Sequence, residues 1–579
     1  MLSFLILDDD RPATDRSLRQ TYLVGPDSVP VAGEVHFEDG LIHCVKTTAE
    51  AAGVATQVDL DEPTIRELAD IADADDPELV LRPLGSLILR TCLLPERNRP
   101  YLLSLELARH QLMLLLNKLE EWQLFDLPPT DPIMRLFEGA RSSFTESLVA
   151  QRFESDESTH GFGVRSHRLA LRALWLAVEA GERLALRDAS VRFRDRHSGA
   201  MYDAAVEAAS GAPTQGPRST APVINHARAG VVLPTPPAIG CVASPASFGE
   251  PAQQAARRAC EFITVPMRWI DLEPSEGEYA YTPTDRWIEW AVRVGRVPVV
   301  AGPVIDFGPE AVPEWLYIWE NDYETLRELV YEHMKAVVTR YRRTIARWTV
   351  ASGLHVNANF KLSFEQMMDL TRICVLVVRK LHPTAKVQVE ITQPWGEYYT
   401  HDRRSLPPML YAEMLAQAGI HVDAVSLRLP MGTPTPGAGT RDLLTLSALL
   451  DQYATLERPL SVSAVAVPSA VPTTPPDQPE LSPGWWRSPW NEQTQADWTS
   501  AALAIALAKP YVESVCWAGL MDARGALTPP STGLITTTGA PRPVLERLVE
   551  LRSAMVAGSA PARLTNESVL QPAGAHAET

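Results

Sequence analysis

The residues of this chain best suited to chemistry are a few carboxylates and a run of aromatic side chains in its C-terminal half. Glu390 lies near the end of the apolar run Lys386 to Ile391, and Glu397 follows in Gln393-Pro394-Trp395-Gly396-Glu397-Tyr398-Tyr399. Asp306, Asp522 and Glu492 stand beyond other apolar runs. Two carboxyl groups whose surroundings push their pKa values apart can divide the work of general acid and general base. The plainer reading is that Glu390 pairs with Arg268 or Arg428, Asp306 and Asp522 cap loops, and Glu492 opens a helix behind Asn491, because charges near a core are usually paired. The segment Gly484-Trp485-Trp486-Arg487-Ser488-Pro489-Trp490 carries three indoles. Indole faces suit the apolar faces of sugar rings, and Trp395, Tyr398 and Tyr399 would extend such a platform; the same indoles would equally serve to pack one part of the chain on another. His355 and Asn357 add polar groups in Gly353-Leu354-His355-Val356-Asn357. There is no nucleophilic triad, phosphate loop or metal-ligand spacing, so neither cofactor nor metal is expected.

These residues need a frame. Eight strand-like runs alternate with eight helix-like runs: the strands are expected at 239–242, 262–269, 297–304, 346–351, 386–391, 422–429, 459–467 and 514–517, and the helices at 251–260, 284–294, 323–341, 363–381, 407–418, 440–456, 494–508 and 542–553. That alternation predicts an α/β fold, a C-terminal (β/α)8 TIM barrel over residues 223–558. Before it, residues 1–98 alternate short apolar runs with turn signals such as Glu38-Asp39-Gly40, which predicts a small β-rich domain. Residues 99–209 show apolar side chains at helical spacing, as in Leu103, Leu105, Leu107, Leu112, Leu115 and Leu119, and form a helical region suited to contacting a protein partner. A Gly-, Pro-, Ser- and Thr-rich linker is expected at 210–222, and a disordered tail at 559–579.

Charge narrows the partners. A formal net charge of -18 over 579 residues disfavours nucleic acid and anionic membrane, which reward clustered Lys and Arg. The six cysteines are scattered without a Cys-x-x-Cys pair and read as buried thiols. The first residues lack a basic leader and a small-residue cleavage site, and no apolar run approaches the length of a membrane span, so a cytoplasmic address is expected.

Several segments of the barrel region together resemble one family. Met267-Arg268-Trp269, followed by Glu273-Pro274 and Gly277-Glu278-Tyr279, is similar to the second strand and following loop of glycoside hydrolase family 10, the xylanase family. Glu332-His333, Val337-Val338, Arg340-Tyr341, His382-Pro383, Ala385-Lys386, Gly419-Ile420, Asp423 and the Gly539-x-Pro541-x-Pro543 pattern follow in the same order as their family counterparts. The resemblance implies a TIM barrel and two catalytic glutamates. The acid/base position of the family motif Trp-Asp-Val-Val-Asn-Glu falls on Gly353 of Trp348-Thr349-Val350-Ala351-Ser352-Gly353. The nucleophile position falls on Ala464 of Pro459-Leu460-Ser461-Val462-Ser463-Ala464. The sugar-binding shell is altered too: Thr264-Val265, Ala301-Gly302 and Arg428-Leu429-Pro430 replace polar family residues, whereas Arg268 takes a Lys position and Trp269 is retained. Retaining hydrolysis needs two carboxyl groups about 5 Å apart. The resemblance therefore implies a xylanase-like protein without that hydrolysis, binding an oligo- or polysaccharide or serving as a scaffold. The candidate ligand contacts are Arg268, Trp269, His355, Asn357, Trp395, Arg428, Trp485, Trp486 and Trp490. Two alternatives stay open: a hydrolase whose site is rebuilt around Glu390 with Glu397 as partner, and a structural assembly protein.

Overall fold

The computed structural model describes residues 1–570 apart from 9–10, 15–17, 69–70, 72–78, 154–159, 161, 211–235, 403, 523–530 and 566–567. The expected linker from residue 211 onward lies outside the described residues.

Eight parallel strands close into a barrel: β1 (Ala238–Val242), β2 (Phe262–Val265), β3 (Val299–Ala301), β4 (Arg347–Ser352), β5 (Lys386–Ile391), β6 (Ala424–Pro430), β7 (Leu460–Ala466) and β8 (Val512–Trp517). Closure runs through the pairing of β8 with β1, for example Val515 with Ile239. β2 and β3 are shorter than their apolar runs. Pro266 ends β2 because it has no N–H to give the ladder, after which Trp269–Leu272 turns helical, and Pro298 and Pro303 bracket β3. The helices follow the apolar periodicity, and three of them start at side-chain caps as follows: Asp322 accepts from Thr325 N, Asp442 from Thr445 N, and Ser363 with Gln366 forms a capping box.

The chain before the barrel forms two four-stranded sheets. The first runs Gly33–Glu38, Leu41–Lys46, Leu2–Leu5, Tyr101–Leu102. Its hairpin turns at Asp39 (φ 49°) and Gly40 (φ 76°), the doubly left-handed geometry that matches strand twist. The second runs Tyr22–Val24, Gly53–Leu60, Gly85–Arg90, and its fourth member is Trp485–Trp486, lent by the loop that follows β7. Helices Leu103–Glu121, Pro132–Phe153, Val164–His197 and Ala200–Ser210 come next.

The third of these, 34 residues long, lies against barrel helices Leu443–Ala454 and Glu492–Ala508. Small residues allow the close approach: a Cβ on Gly181 would sit 2.9 Å from the Leu444 side chain. Helix Glu492–Ala508 is buried at every residue from Thr494 to Ala508, since the barrel covers one face and the long helix the other. Much of the helical region's apolar surface is thus spent inside the chain, while Met113, Leu116, Val149 and Val191 remain exposed. The C-terminal segment also departs from expectation, since Leu564, Val569 and Leu570 are buried and residues 559–565 and 568–570 are ordered. No helix among the described residues is long and apolar enough to cross a membrane.

Candidate functional site at the barrel mouth

Parallel barrels place chemistry at the carboxyl ends of their strands. Glu390, the penultimate residue of β5, points into that mouth and is 4% exposed. Its Oε1 accepts a hydrogen bond from Ser352 Oγ at 2.8 Å, its Oε2 accepts one from Ser463 Oγ, and Arg428 Nη1 lies 4.0 Å away. The same Arg428 nitrogen is 3.9 Å from Asp306, whose Oδ1 accepts from Gly308 N at 2.8 Å. Burial raises the Asp306 carboxyl above its usual range against the pull of Arg428. One guanidinium therefore serves both carboxylates of the mouth.

Beneath this layer the barrel interior is polar again. Arg347 pairs with Glu513 at 2.5 Å and donates to Ser461 Oγ at 2.8 Å, and Gln388 donates to Thr349 Oγ1 at 2.9 Å. The space left between the layers is about 40 Å³. Water fits in a cavity of that size, whereas ligand sites usually measure about 300–1,000 Å³. A wider cleft of about 420 Å³ opens beside it, between the loops after β1, β2 and β8, where Arg268 and Asp271 line the wall as an ion pair.

The two positions that the resemblance assigns to catalytic glutamates differ in backbone as well as side chain. Gly353 has φ 63°, and a Cβ there would meet Thr392 Oγ1 at 2.9 Å. Ala464 has φ 48° at a bulge in β7, where the register with β8 shifts between Val462 and Val465. A larger side chain at either place starts from a conformation that L-residues disfavour.

Few of the other candidate residues meet at the mouth. Arg268 does not reach Glu390; besides Asp271 it donates to Glu310 O at 3.3 Å. Trp269 is 2% exposed, donates to Glu273 at 2.9 Å and stacks on His333 at 4.3 Å, so its ring is a packing element. His355 is buried, bonded through Nε2 to Thr392 O at 3.0 Å and stacked on Tyr411, and burial pushes its pKa down to about 4. Asn357 spends its amide on Leu362 N, Leu362 O and Arg404 O.

Glu397 is no partner for Glu390. It pairs with buried Arg441, whose guanidinium lies 3.8 Å over Trp395 and approaches Tyr22 Oη at 3.4 Å. Asp522 is held by Arg542 at 2.6 Å, and Glu492 lies 3.2 Å from the same arginine, behind the cap Asn491.

The tryptophan loop is not an open stacking platform. Trp485 and Trp486 pair with Ser86 and Gly85 as a strand, Trp486 is 1% exposed and donates to Glu182 at 2.8 Å, and Trp490 is 2% exposed over Gly432. Arg487 between them is buried, with Glu179 at 2.6 Å and Glu182 also bound to it. At Glu179, burial is outweighed by Arg487 and Arg183, and its pKa is lowered. Sequence reasoning missed this cluster, although Glu179 and Glu182 inside the small-residue run Ala173 to Ala189 signal that a buried cation must come from elsewhere.

Among the described residues no group of three or more His, Cys, Asp or Glu is placed to hold a metal ion. What the mouth offers chemically is a pair of carboxylates tethered to one arginine, with about 40 Å³ of space beside them and the 420 Å³ cleft next to it.

Solved structures with similar barrels include xylanase 10B of Thermotoga petrophila RKU-1 in complex with xylobiose, at 16% identity and TM-score 0.41, covering 55% of this chain and 95% of that one. Native xylanase10C of Cellvibrio japonicus is 13% identical with TM-score 0.44, over 57% and 72% of the two chains. An intracellular xylanase of Thermoanaerobacterium saccharolyticum is 13% identical with TM-score 0.41, over 54% and 95%. The resemblance read from the sequence has its counterpart in a family model: residues 235–388, from the approach to β1 into β5, match glycosyl hydrolase family 10.

Proposed function

We propose that this family 10 barrel is catalytically silent towards glycosides and serves as the rigid scaffold that carries the N-terminal sheets and helices. The observation behind the reading is the mouth itself, where Ser352, Ser463 and Arg428 occupy Glu390 around a cavity of about 40 Å³. Hydrolysis with retention needs a free proton donor and a free nucleophile, and the positions that would supply them hold Gly353 and Ala464. Scaffolding accounts for the tryptophan loop, which joins the N-terminal sheet instead of a glycan. The six cysteines carry free thiols, five of them buried, which suits a reducing, cytoplasmic compartment.

The test is hydrolysis of xylan and of an activated aryl xyloside by the full chain. Expected is no turnover above a blank, with Glu390→Gln and Asp306→Asn giving the same result as the parent. Turnover that either substitution abolishes would establish a hydrolase rebuilt around the shared Arg428. Titration with xylo-oligosaccharides completes the experiment: saturable binding lost in Arg268→Ala would place a glycan in the 420 Å³ cleft and replace the scaffold by a binding module.

A further inference from the structure

A cleft of about 950 Å³ lies between the N-terminal sheet, helix Leu103–Glu121 and the barrel helix Leu443–Ala454. Its wall carries a cation, Arg90, that no carboxylate among the described residues pairs with. Arg90, at the end of strand Gly85–Arg90, donates through Nε to His110 Nε2 at 2.8 Å and through Nη1 to Ser28 Oγ at 2.5 Å, and no carboxylate pairs with it among the described residues. Burial lowers its pKa, the sign of a desolvated cation. Because His110 Nε2 accepts from Arg90, the ring is neutral with its proton on Nδ1, and that buried nitrogen has no hydrogen-bond partner among the described residues.

Gln111, 2% exposed, lines the same cavity and makes no side-chain hydrogen bond among the described residues. The other cations of the wall are already matched: Arg441 by Glu397, and Lys118 by Asp451 and Glu121. The carboxylates Asp27 and Glu413 stand exposed at the rim, in contact with water. Leu114, Met409, Leu449 and Val24 supply apolar surface alongside.

A half-buried guanidinium without a counter-ion carries a desolvation cost, and an anion that enters its cleft lowers that cost. We infer that this cleft is a binding site for a small organic anion, a carboxylate or phosphate head group that pairs with Arg90 and Gln111 and carries an apolar body against the leucines. The inference is independent of what the barrel mouth does. The site exists only because the N-terminal sheet is docked on the barrel, so the ligand would also tie the two together.

The experiment uses the full chain with decanoate and decyl phosphate as probes and decanol as the uncharged control, read by calorimetric titration and by thermal melting. Expected is one saturable site for at least one anion, a raised Tm, and affinity for decanol about tenfold weaker or less. Arg90→Gln should weaken anion binding by about tenfold or more while leaving decanol unchanged. Ala448→Phe, which fills the cleft and leaves Arg90 in place, should abolish binding of all three probes and covers the case in which Arg90→Gln fails to fold. Absence of a saturable site, equal affinity for decanoate and decanol, or binding that survives Ala448→Phe in a folded protein would each overturn the inference. A preference between the two anions decides which head group the site takes.

Discussion

The barrel mouth and the seam where the preceding residues meet the barrel use the same kinds of side chain to different ends. In the mouth, one arginine, Arg428, is shared by Asp306 and Glu390 at 3.9 and 4.0 Å, and the shell around it is made of serines. At the seam, Arg487 binds Glu179 and Glu182 directly, Arg196 donates to Leu507 O at 2.9 Å and Val512 O at 2.7 Å, and Lys118 and Lys509 meet at Asp451 at 2.6 and 2.8 Å. Close charge pairs thus join elements far apart in sequence, while the place reserved for chemistry holds looser pairs and a little water-sized space. The lesson is that aromatic and charged residues grouped on a barrel loop are as able to fasten a second structural unit as to bind a substrate.

The largest effect that separates the two regions should come from Arg487→Ala. It leaves Glu182 buried without its cation and Glu179 with Arg183 alone, a change that costs about 3–5 kcal/mol in comparable pairs. Denaturant unfolding should show this loss, and limited proteolysis should release the N-terminal sheets first. A loss below about 1 kcal/mol, the worth of an exposed ion pair, would mean that the seam is not held as described.

Acid sharpens the comparison from the mouth side. The folded-state pKa of His355 is near 4 against an ordinary value of 6.5, so the unfolded chain takes up the proton first. Stability from this group is complete above pH 6.5 and is lost as the pH falls towards 4, by about 3 kcal/mol. His355→Gln keeps an N–H for Thr392 O but cannot titrate, and its stability should fall less over the same range. Part of the slope remains in that variant because His197, at the seam, is also pushed down to about 4 by burial and by Arg196. Equal slopes in the two proteins would show that His355 is not buried neutral.

The smallest effect concerns the backbone of the mouth. Gly353→Ala places a Cβ at φ 63°, 2.9 Å from Thr392 Oγ1, and should cost roughly 1–2 kcal/mol by thermal unfolding. The Gly353→Glu, Ala464→Glu double variant should remain inactive on an aryl xyloside, since both carboxylates would be carried on left-handed backbone beside a mouth already filled. Efficient turnover by that protein would show that the mouth still admits a sugar.

How much could be read without coordinates differs along the chain. Strand β5 and helix Tyr323–Tyr341 coincide with their expected bounds, because a strand's β-branched run and a helix's apolar stripe are local patterns. β2 and β3 were misjudged in length, since a proline stops ladder pairing even where the apolar run continues. Of the tail expected at 559–579, Leu564, Val569 and Leu570 bury themselves against distant helices, while residues 571–579 lie outside the described residues. Of the candidate ligand contacts, only Arg428 stands in the mouth beside Glu390.

The sequence by itself determined the eightfold alternation, the helical and β-rich parts that precede it, and the absence of glutamate at positions 353 and 464. Those follow from spacing and residue type, which act over a few neighbours. Only the tertiary structure decided what the remaining charges and indoles do. Trp486 in a strand with Gly85, Arg487 on Glu182, and Arg90 on His110 and Ser28 are pairings across tens to hundreds of residues. Their energies depend on burial and on a partner's approach within a few ångströms, and neither quantity is local to the chain.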